Sequence, residues 1–455
     1  NRIRGTVEAR TDWCISRQRT WGVPLPVFFD KNGEVILDAE VSRKVADLVE
    51  KEGTNIWFEL SDAELAARLG LPEGSTKCRD TLDVWIDSGS SHVAVMDRHP
   101  ELSCPADLYL EATDQHRGWF QSSLMLSIAV RDKAPYKSVL THGFVVDKDG
   151  GKISKSAAKA KGKPTDAAHF YNKYGADIVR LWVSSVDWQT EVPFGEDLFK
   201  QIADPYRRLR NTFRILLGNL DGFDPEKDSV SFADMPLLDC WILERLDAVI
   251  TECTVAYENF EFRKVFNSIN TFCANDLSSL YVDITKDRMY CDAVDSPRRR
   301  STQTAISEVF LALTKLLAPI LAYTADEAWE HCTFTSGNVH TQDFPKASQP
   351  SREATETVTE LLKLRVQIQQ KVEEQVQAKA FNKNNEAEVT VPTPESAELQ
   401  SLLKDRRFTT EFFIVADLHL GDEFAARKTK HCMCPRCRRY EPLVSDVCQR
   451  CSEVS

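Results

Sequence analysis

Residues 107–156 constrain the fold most, because they run strand, polar loop, helix, strand and lysine-bearing loop in that order. Asp107-Leu108-Tyr109-Leu110-Glu111 reads as a strand ending in a carboxylate. Ala112-Thr113-Asp114-Gln115-His116 is the polar loop. A helix is expected over 117–129, with Phe120, Leu124 and Ile128 on one face and Asp114 or Thr113 as its cap. The β-branched and aromatic run 138–146 is the second strand, and Asp147-Lys148-Asp149-Gly150-Gly151 is a turn that ends it. Then comes Lys152-Ile153-Ser154-Lys155-Ser156. This order describes half of a doubly wound α/β domain, whose ligands sit beyond the carboxyl ends of the strands. Glu111 and the lysine loop both fall at such ends, so they are expected to serve one site. Lysine ammoniums can follow charge as it moves along a phosphate chain toward a leaving pyrophosphate. A solvated basic turn and a solvated strand end have the same composition.

At 455 residues the chain has room for two to four domains. With 42% hydrophobic and 28% charged residues it is globular in composition. No apolar run approaches the ~20 residues of a membrane span, and no charged-then-apolar leader opens the chain. The first residue is Asn, in mid-pattern, so the sequence reads as a fragment of a longer polypeptide. A net charge of −12 argues against a generally basic nucleic-acid binder, though not against a local basic face. Thirteen cysteines, eight of them scattered singly, suit a reducing compartment.

Residues 10–26 concentrate two tryptophans, three arginines and two prolines. A strand–turn with a proline exit and a polyanion surface with Arg17 and Arg19 on phosphates fit equally well. Residues 30–80 read as a small insertion with a hairpin near Ile36-Leu37 and helices over 41–51 and 63–69. Residues 80–89 return to a buried strand and a glycine turn. Two helices, 166–173 and 176–186, are broken at Gly175. Arg207, Arg208, Arg210 and Arg214 form a basic stripe on a helix opened by Pro205, either a solvated face or an RNA contact. Residues 238–332 give three long amphipathic helices, with Arg298-Arg299-Arg300 between helices and a capping box at Thr324–Glu327. A polar stretch over 345–358 leads to helix 360–377, strand 386–391, helix 395–405 and strand 412–415, a small α/β module.

The end of the chain carries Cys434-Pro435-Arg436-Cys437 and Cys448-Gln449-Arg450-Cys451. Each Cys-x-x-Cys can aim two thiolates at one ion, and the pair makes a tetrahedral four-sulfur zinc site. Two disulfides or four free thiols are the alternatives. A tail of ~20 residues has no apolar core, so metal would supply its folding energy. A closed four-cysteine site is structural rather than catalytic.

Eight stretches together resemble the bacterial-type isoleucyl-tRNA synthetases, class I aminoacyl-tRNA synthetases, in their C-terminal half. They are DWCISRQRTWGVPLP (12–26), DTLDVWIDSG (80–89), YLEATDQHRGWFQSSL (109–124), LTHGFVVDKDGGKISKS (140–156), GADIVRLWVSSVDW (175–188), YRRLRNT (206–212), LYVDITKDRMY (280–290) and the terminal knuckles. Lys-Ile-Ser-Lys-Ser is similar to the Lys-Met-Ser-Lys-Ser signature, with Ile153 for Met. The resemblance implies a Rossmann-like catalytic half-domain over 1–164, with an insertion at about 30–80. It implies a helical connection over 165–200, an anticodon-binding bundle over 201–345, a small α/β module over 346–430 and a zinc tail over 431–455. It implies ATP with Mg2+, isoleucine and tRNA(Ile) as substrates, one structural Zn2+ on Cys434, Cys437, Cys448 and Cys451, and a cytoplasmic monomer. Glu111 would bind the adenylate, with Asp114 and Gln115 near the ribose hydroxyls. His142, Gly143 and Val145 would flank the adenine. Lys152, Lys155, Ser154 and Ser156 would form the catalytic loop, and Trp85 and Trp119 would wall the side-chain pocket.

The sequence departs from the family in several places. No His-x-Gly-His signature and no editing insertion are present, so the fragment is expected to be inactive alone. Ala112 replaces a Gly, and Ala157-Ala158-Lys159 replaces the usual Leu/Ile-Gly-Asn. A non-catalytic tRNA-binding fragment and a sister valyl or leucyl enzyme are the other readings.

Overall fold

The computed structural model of the chain describes residues 2–147, 150–151, 166–348 and 352–454. The lysine loop, Lys152 to Ser156, lies outside the described residues. Two compact units emerge: Asn1–Val146 with Trp188–Pro193, and Asp147–Asp187 with Phe194–Ser455.

In the first unit, Ala106–Ala112 pairs in parallel with Tyr136–His142, putting Glu111 opposite Thr141 and Ala112 opposite His142. Helix Trp119–Arg131 makes the crossover that a parallel pair requires. Its expected apolar face is corrected: Phe120 is buried, but Ile128 is exposed and the buried remainder is Gln121, Ser122, Ser123 and Ser127. Small residues let helix Val84–Gly89 come close, and a Cβ at Gly89 would meet Leu126 at 2.9 Å. The cap is corrected too. Neither Thr113 nor Asp114 serves; the Gln115 side-chain carbonyl accepts the Trp119 N–H at 3.0 Å.

The expected strand 138–146 breaks in two at Gly143-Phe144, leaving Val145–Val146 to pair with Val192–Pro193. The strand over 80–89 shrinks to Thr81–Leu82, because the Asp83 carboxylate caps a helix by accepting the Trp85 N–H at 3.1 Å. That same buried carboxylate pairs with Arg17 at 2.5 Å and accepts the Trp13 indole N–H at 2.9 Å. Arg17 is thereby a strut inside the unit. The insertion has a three-stranded sheet, Val35–Ile36, Phe28–Phe29 and Thr76–Lys77 in that order. Helices Ala39–Glu52 and Asp62–Leu69 cover it around Phe28, Val45, Trp57, Leu65 and Leu69.

The second unit is mostly helical. Ala167–Tyr174 and Ala176–Ser185 flank Gly175, whose φ of 96° suits glycine. The basic stripe sits on Glu196–Asn219, which starts well before Pro205 and holds it inside. Acidic Glu196 and Asp197 favour that earlier start at the positive end of the helix dipole. Helices Leu237–Glu258 and Pro297–Leu317 and the continuous run Phe262–Cys291 bury one core with the chain that follows. Arg298, Arg299 and Arg300 are in the first turn of a helix rather than between helices. That end of a helix disfavours cations, but Arg298 pairs with Asp292 (2.8 Å) and Glu411 (3.2 Å), and Arg300 with Asp228 (3.3 Å).

Thr324 does not open a capping box: its helix begins at Ala322, and buried Asp177 accepts both the Thr324 N–H (2.7 Å) and its hydroxyl (2.6 Å). Glu244 caps the helix Glu353–Gln377 in the same way, accepting the Thr355 N–H at 2.7 Å. Beyond it, Ala387–Pro392 is the middle strand of three, parallel to Asp417–Gly421 and antiparallel to Ala425–Lys428. The expected strand 412–415 is instead the end of helix Arg406–Phe412 and a turn with Ile414 at φ 55°. Phe412, Phe413 and Val415 are buried there all the same.

Candidate functional site

The parallel strands carry Glu111 and His142 to neighbouring carboxyl ends, in adjacent register. Glu111 is exposed, and its carboxylate accepts the neighbouring Ala112 N–H at 3.0 Å. His142 Nδ1 donates to the Gly143 carbonyl at 2.8 Å, which fixes the ring's orientation. Gly143 is there for close approach: a Cβ would lie 1.8 Å from the Thr190 carbonyl oxygen. Val145 follows, 48% exposed. Asp114 and Gln115 lie in the short helical turn Thr113–Arg117 after the first strand, with Gln115 donating to Asp114 at 3.3 Å. All six are therefore in one unit, around the ends of two paired strands.

Trp85 and Trp119 come from adjoining helices. Trp119 Nε1 donates to the Ser88 carbonyl at 2.8 Å, and its ring stacks on Tyr109 with centroids 4.1 Å apart. The Trp85 ring reaches Gly118, where a Cβ would meet it at 2.8 Å. Gly118 and Tyr109 thus position the two indoles, and sequence reading had given neither residue a role. Their only signal was adjacency to Trp119 and Glu111. Lys152, Ser154, Lys155 and Ser156 lie outside the described residues.

In the tail, the ligand sulfurs of Cys434, Cys437, Cys448 and Cys451 lie within 4.8 Å of one another. Cys437 and Cys448 are 3.7 Å apart. Four Zn–S bonds of ~2.3 Å in a tetrahedron put sulfurs about 3.8 Å apart, so the donor set fits zinc. No disulfide joins them. Burial pushes the Cys437 and Cys451 thiols up to about 11, a cost that a bound cation removes. Arg436 donates to the Cys451 carbonyl at 2.9 Å, tying one knuckle to the other.

The tail is seated on the helix Asp283–Cys291 by two arginines that sequence reading also passed over. Arg439, just after the first knuckle, reaches Asp287 at 2.9 Å. Arg450, inside the second, forks the same carboxylate and touches Asp292 at 3.4 Å. Asp287 is held below the usual carboxylate range: burial raises it, and Arg450 and Arg439 outweigh that. A basic residue inside a Cys-x-x-Cys was the available signal.

The family described as tRNA synthetases class I (I, L, M and V) matches residues 1–194, and the anticodon-binding domain of tRNA ligase matches 239–391. Residues 1–194 thus carry a class I tRNA-synthetase region, and residues 239–391 an anticodon-binding region. An isoleucine–tRNA ligase of Methylacidiphilum infernorum is 44% identical across 100% of this chain and 50% of its own length. One of Bacillus subtilis is 42% identical, with the same coverage. The chain spans about half the length of the curated relatives it matches. A crystal structure of an Agrobacterium radiobacter K84 LeuRS–tRNA–LeuAMS ternary complex aligns with TM-score 0.56 at 18% identity, over 74% of this chain and 42% of that one. Mycobacterium tuberculosis methionyl-tRNA synthetase with methionyl-adenylate aligns at 0.51 and 16%, over 77% and 62%. At such identities these two share the class I fold and nothing more specific. No helix among the described residues is long and apolar enough to cross a membrane.

Proposed function

We propose that this chain is part of an isoleucine–tRNA ligase. The full-length polypeptide would join isoleucine to ATP, releasing pyrophosphate, and pass the acyl group from the adenylate to the terminal ribose of tRNA(Ile). The observation that carries the reading is 40–44% identity to isoleucine–tRNA ligases across all of this chain. Glu111 anchors the adenylate, Asp114 and Gln115 hold the ribose hydroxyls, and His142, Gly143 and Val145 border the adenine. Lys152 and Lys155, with Ser154 and Ser156, stabilise charge on the α-phosphate and the departing pyrophosphate, alongside Mg2+. Trp85 and Trp119 line the side-chain pocket. One methylene separates isoleucine from valine, and an apolar pocket discriminates weakly on that basis, this family being the usual illustration.

The test is amino-acid-dependent pyrophosphate–ATP exchange by the full-length polypeptide. Isoleucine should support the fastest exchange. Faster exchange with valine or leucine would move the assignment to a sister ligase, and none at all would leave only a tRNA-binding protein. In the same assay Lys155→Ala should lower adenylation by at least ~100-fold with little loss of tRNA affinity, since its contact forms mainly in the transition state. Near-normal exchange would remove that role from the loop.

The tail would hold one structural Zn2+. Cys434→Ser is expected to reduce bound zinc from about one per chain to near zero while adenylation persists. Amide exchange in Asp283–Cys291 should rise at the same time, because Arg439 and Arg450 lose their fixed spacing over Asp287. Collapse of adenylation along with zinc would contradict a purely structural, remote tail.

A further inference from the structure

Arg450 has more donors than the seating of the tail uses. It lies inside the second knuckle, and its Nη1 and Nη2 fork Asp287, the Nη2 bond being 3.1 Å long. Its Nε N–H is buried and has no hydrogen-bond partner among the described residues. A buried donor without an acceptor is unfavourable. The donors of a guanidinium share one rigid plane, so Nε cannot turn elsewhere without breaking the fork on Asp287. The acceptor at hand is the Cys437 sulfur, which acts on this guanidinium both as a charge and as a hydrogen-bond partner. The knuckles already aim backbone donors at sulfur: Cys434 Sγ accepts the Cys448 N–H at 3.4 Å. Arg450 adds a side-chain donor to that set.

The charges around the knuckles agree. The Asp287 side chain is 11% exposed and receives both Arg439, at 2.9 Å, and Arg450. Asp292, which Arg450 approaches at 3.4 Å, is already paired with Arg298 at 2.8 Å. One carboxylate between two guanidiniums leaves a positive charge over in a nearly closed place. Arg436, on the Cys451 carbonyl, adds another beside the same sulfurs. Four thiols offer nothing to balance that excess. Four thiolates on Zn2+ carry two negative charges beyond those the ion neutralises, and so match it.

We infer that Arg450 is a positioning residue of the zinc site, directing its remaining donor to the Cys437 thiolate while its fork holds Asp287, so that metal affinity depends on a carboxylate 163 residues earlier in the chain. The inference rests on the zinc reading of the tail and adds to it a residue that is not a ligand. By linkage, zinc holds the tail on the helix as firmly as Asp287 and Arg450 hold the zinc.

The experiment loads the chain with Co2+, which accepts the same tetrahedral thiolate set, and records the thiolate-to-metal charge-transfer band in the near ultraviolet. A hydrogen bond to a thiolate lowers the energy of its lone pair, so losing that bond moves the band to longer wavelength. Arg450→Lys keeps the charge but cannot fork Asp287 and reach a sulfur together. It should shift the band and, in competition with EDTA, weaken zinc binding by about 10–100-fold. Asp287→Asn lies on the helix rather than in either knuckle, and it should weaken zinc binding in the same direction. Arg439→Lys disturbs the seat without touching the proposed bond and should leave the band in place. An unmoved band with zinc fully retained in Arg450→Lys would overturn the inference. Equal shifts in Arg450→Lys and Arg439→Lys would overturn it as well, since both arginines would then act through the seat alone. If the unsubstituted chain gave no tetrahedral thiolate spectrum, the zinc reading itself would fall.

Discussion

Arg288→Met is expected to destabilise the helical unit by about 3–5 kcal/mol, the usual effect of removing one partner from a buried ion cluster. Arg288 is 3% exposed and lies between two carboxylates that are no more exposed, Asp239 and Glu411. Its Nε and Nη2 fork Glu411 at 2.8 and 3.0 Å, and its Nη1 faces Asp239 at 3.3 Å. Methionine fills much the same space without charge. Glu411 would keep Arg298, whereas Asp239 would keep neutral donors, the Tyr281 and Ser301 hydroxyls at 2.7 Å and the Thr302 hydroxyl at 3.3 Å. A carboxylate so placed binds a proton more readily folded than unfolded.

The pH dependence gives the sign. In the unsubstituted chain Glu411 is held below the ordinary carboxylate range, since Arg288 outweighs the opposing effect of burial. Its contribution is complete above the unfolded value of about 4.3 and is lost only as pH falls through the lower folded value. In the variant an uncompensated carboxylate has a raised folded value, so stability increases as pH falls. Urea unfolding at pH 7 and pH 5 should show the deficit narrowing at pH 5. An equal deficit at both would mean that no carboxylate had been left uncompensated.

Gly143→Ala is expected to cost about 3 kcal/mol or more and to unseat the end of the parallel pair. The added Cβ would fall 1.8 Å from Thr190 O, 2.3 Å from Thr190 C and 2.8 Å from Glu191 N. All three are backbone atoms, so no rotamer change relieves the clash. The Gly143 N–H also donates to the Trp188 carbonyl at 2.8 Å, which keeps the two segments together. Forcing them apart should unpair Val145–Val146 from Val192–Pro193 and release the His142 ring from its carbonyl. Thermal unfolding checks the first effect, and affinity for ATP in the full-length polypeptide checks the second. A melting curve that superimposes on the unsubstituted one would show that the segments separate without cost.

Much of the fold was legible because it depends on neighbours in sequence. Helix spacing is local, so the helices around Gly175 and the long amphipathic run of the bundle were readable from 3.6-residue patterns. The four cysteines converge as their spacing implied, because each knuckle is a single tight turn. The two strands of the parallel pair were legible from β-branched and aromatic runs, which brought Glu111 and His142 to adjacent ends.

What failed to show in sequence depends on partners far along the chain. The capping box at Thr324 was sound chemistry, but Asp177 occupies the cap, 147 residues away. Phe412–Val415 has the letters of a strand, yet burial in a helix end suits the same side chains. Arg298–Arg300 read as a run between helices, yet it opens one; cations are unwelcome at a helix start, and Asp292, Glu411 and Asp228 in three dimensions make it tolerable.

By itself, then, the sequence determined the periodic elements, the convergence of the four tail cysteines and the chemistry available at the strand ends, since each follows from residues within a turn or two of one another. The tertiary structure alone decided where helices begin, which glycine is a point of backbone contact, and that Arg17 is a strut. Those outcomes depend on desolvated charges and atomic close approach between distant segments, and neither has a local signature.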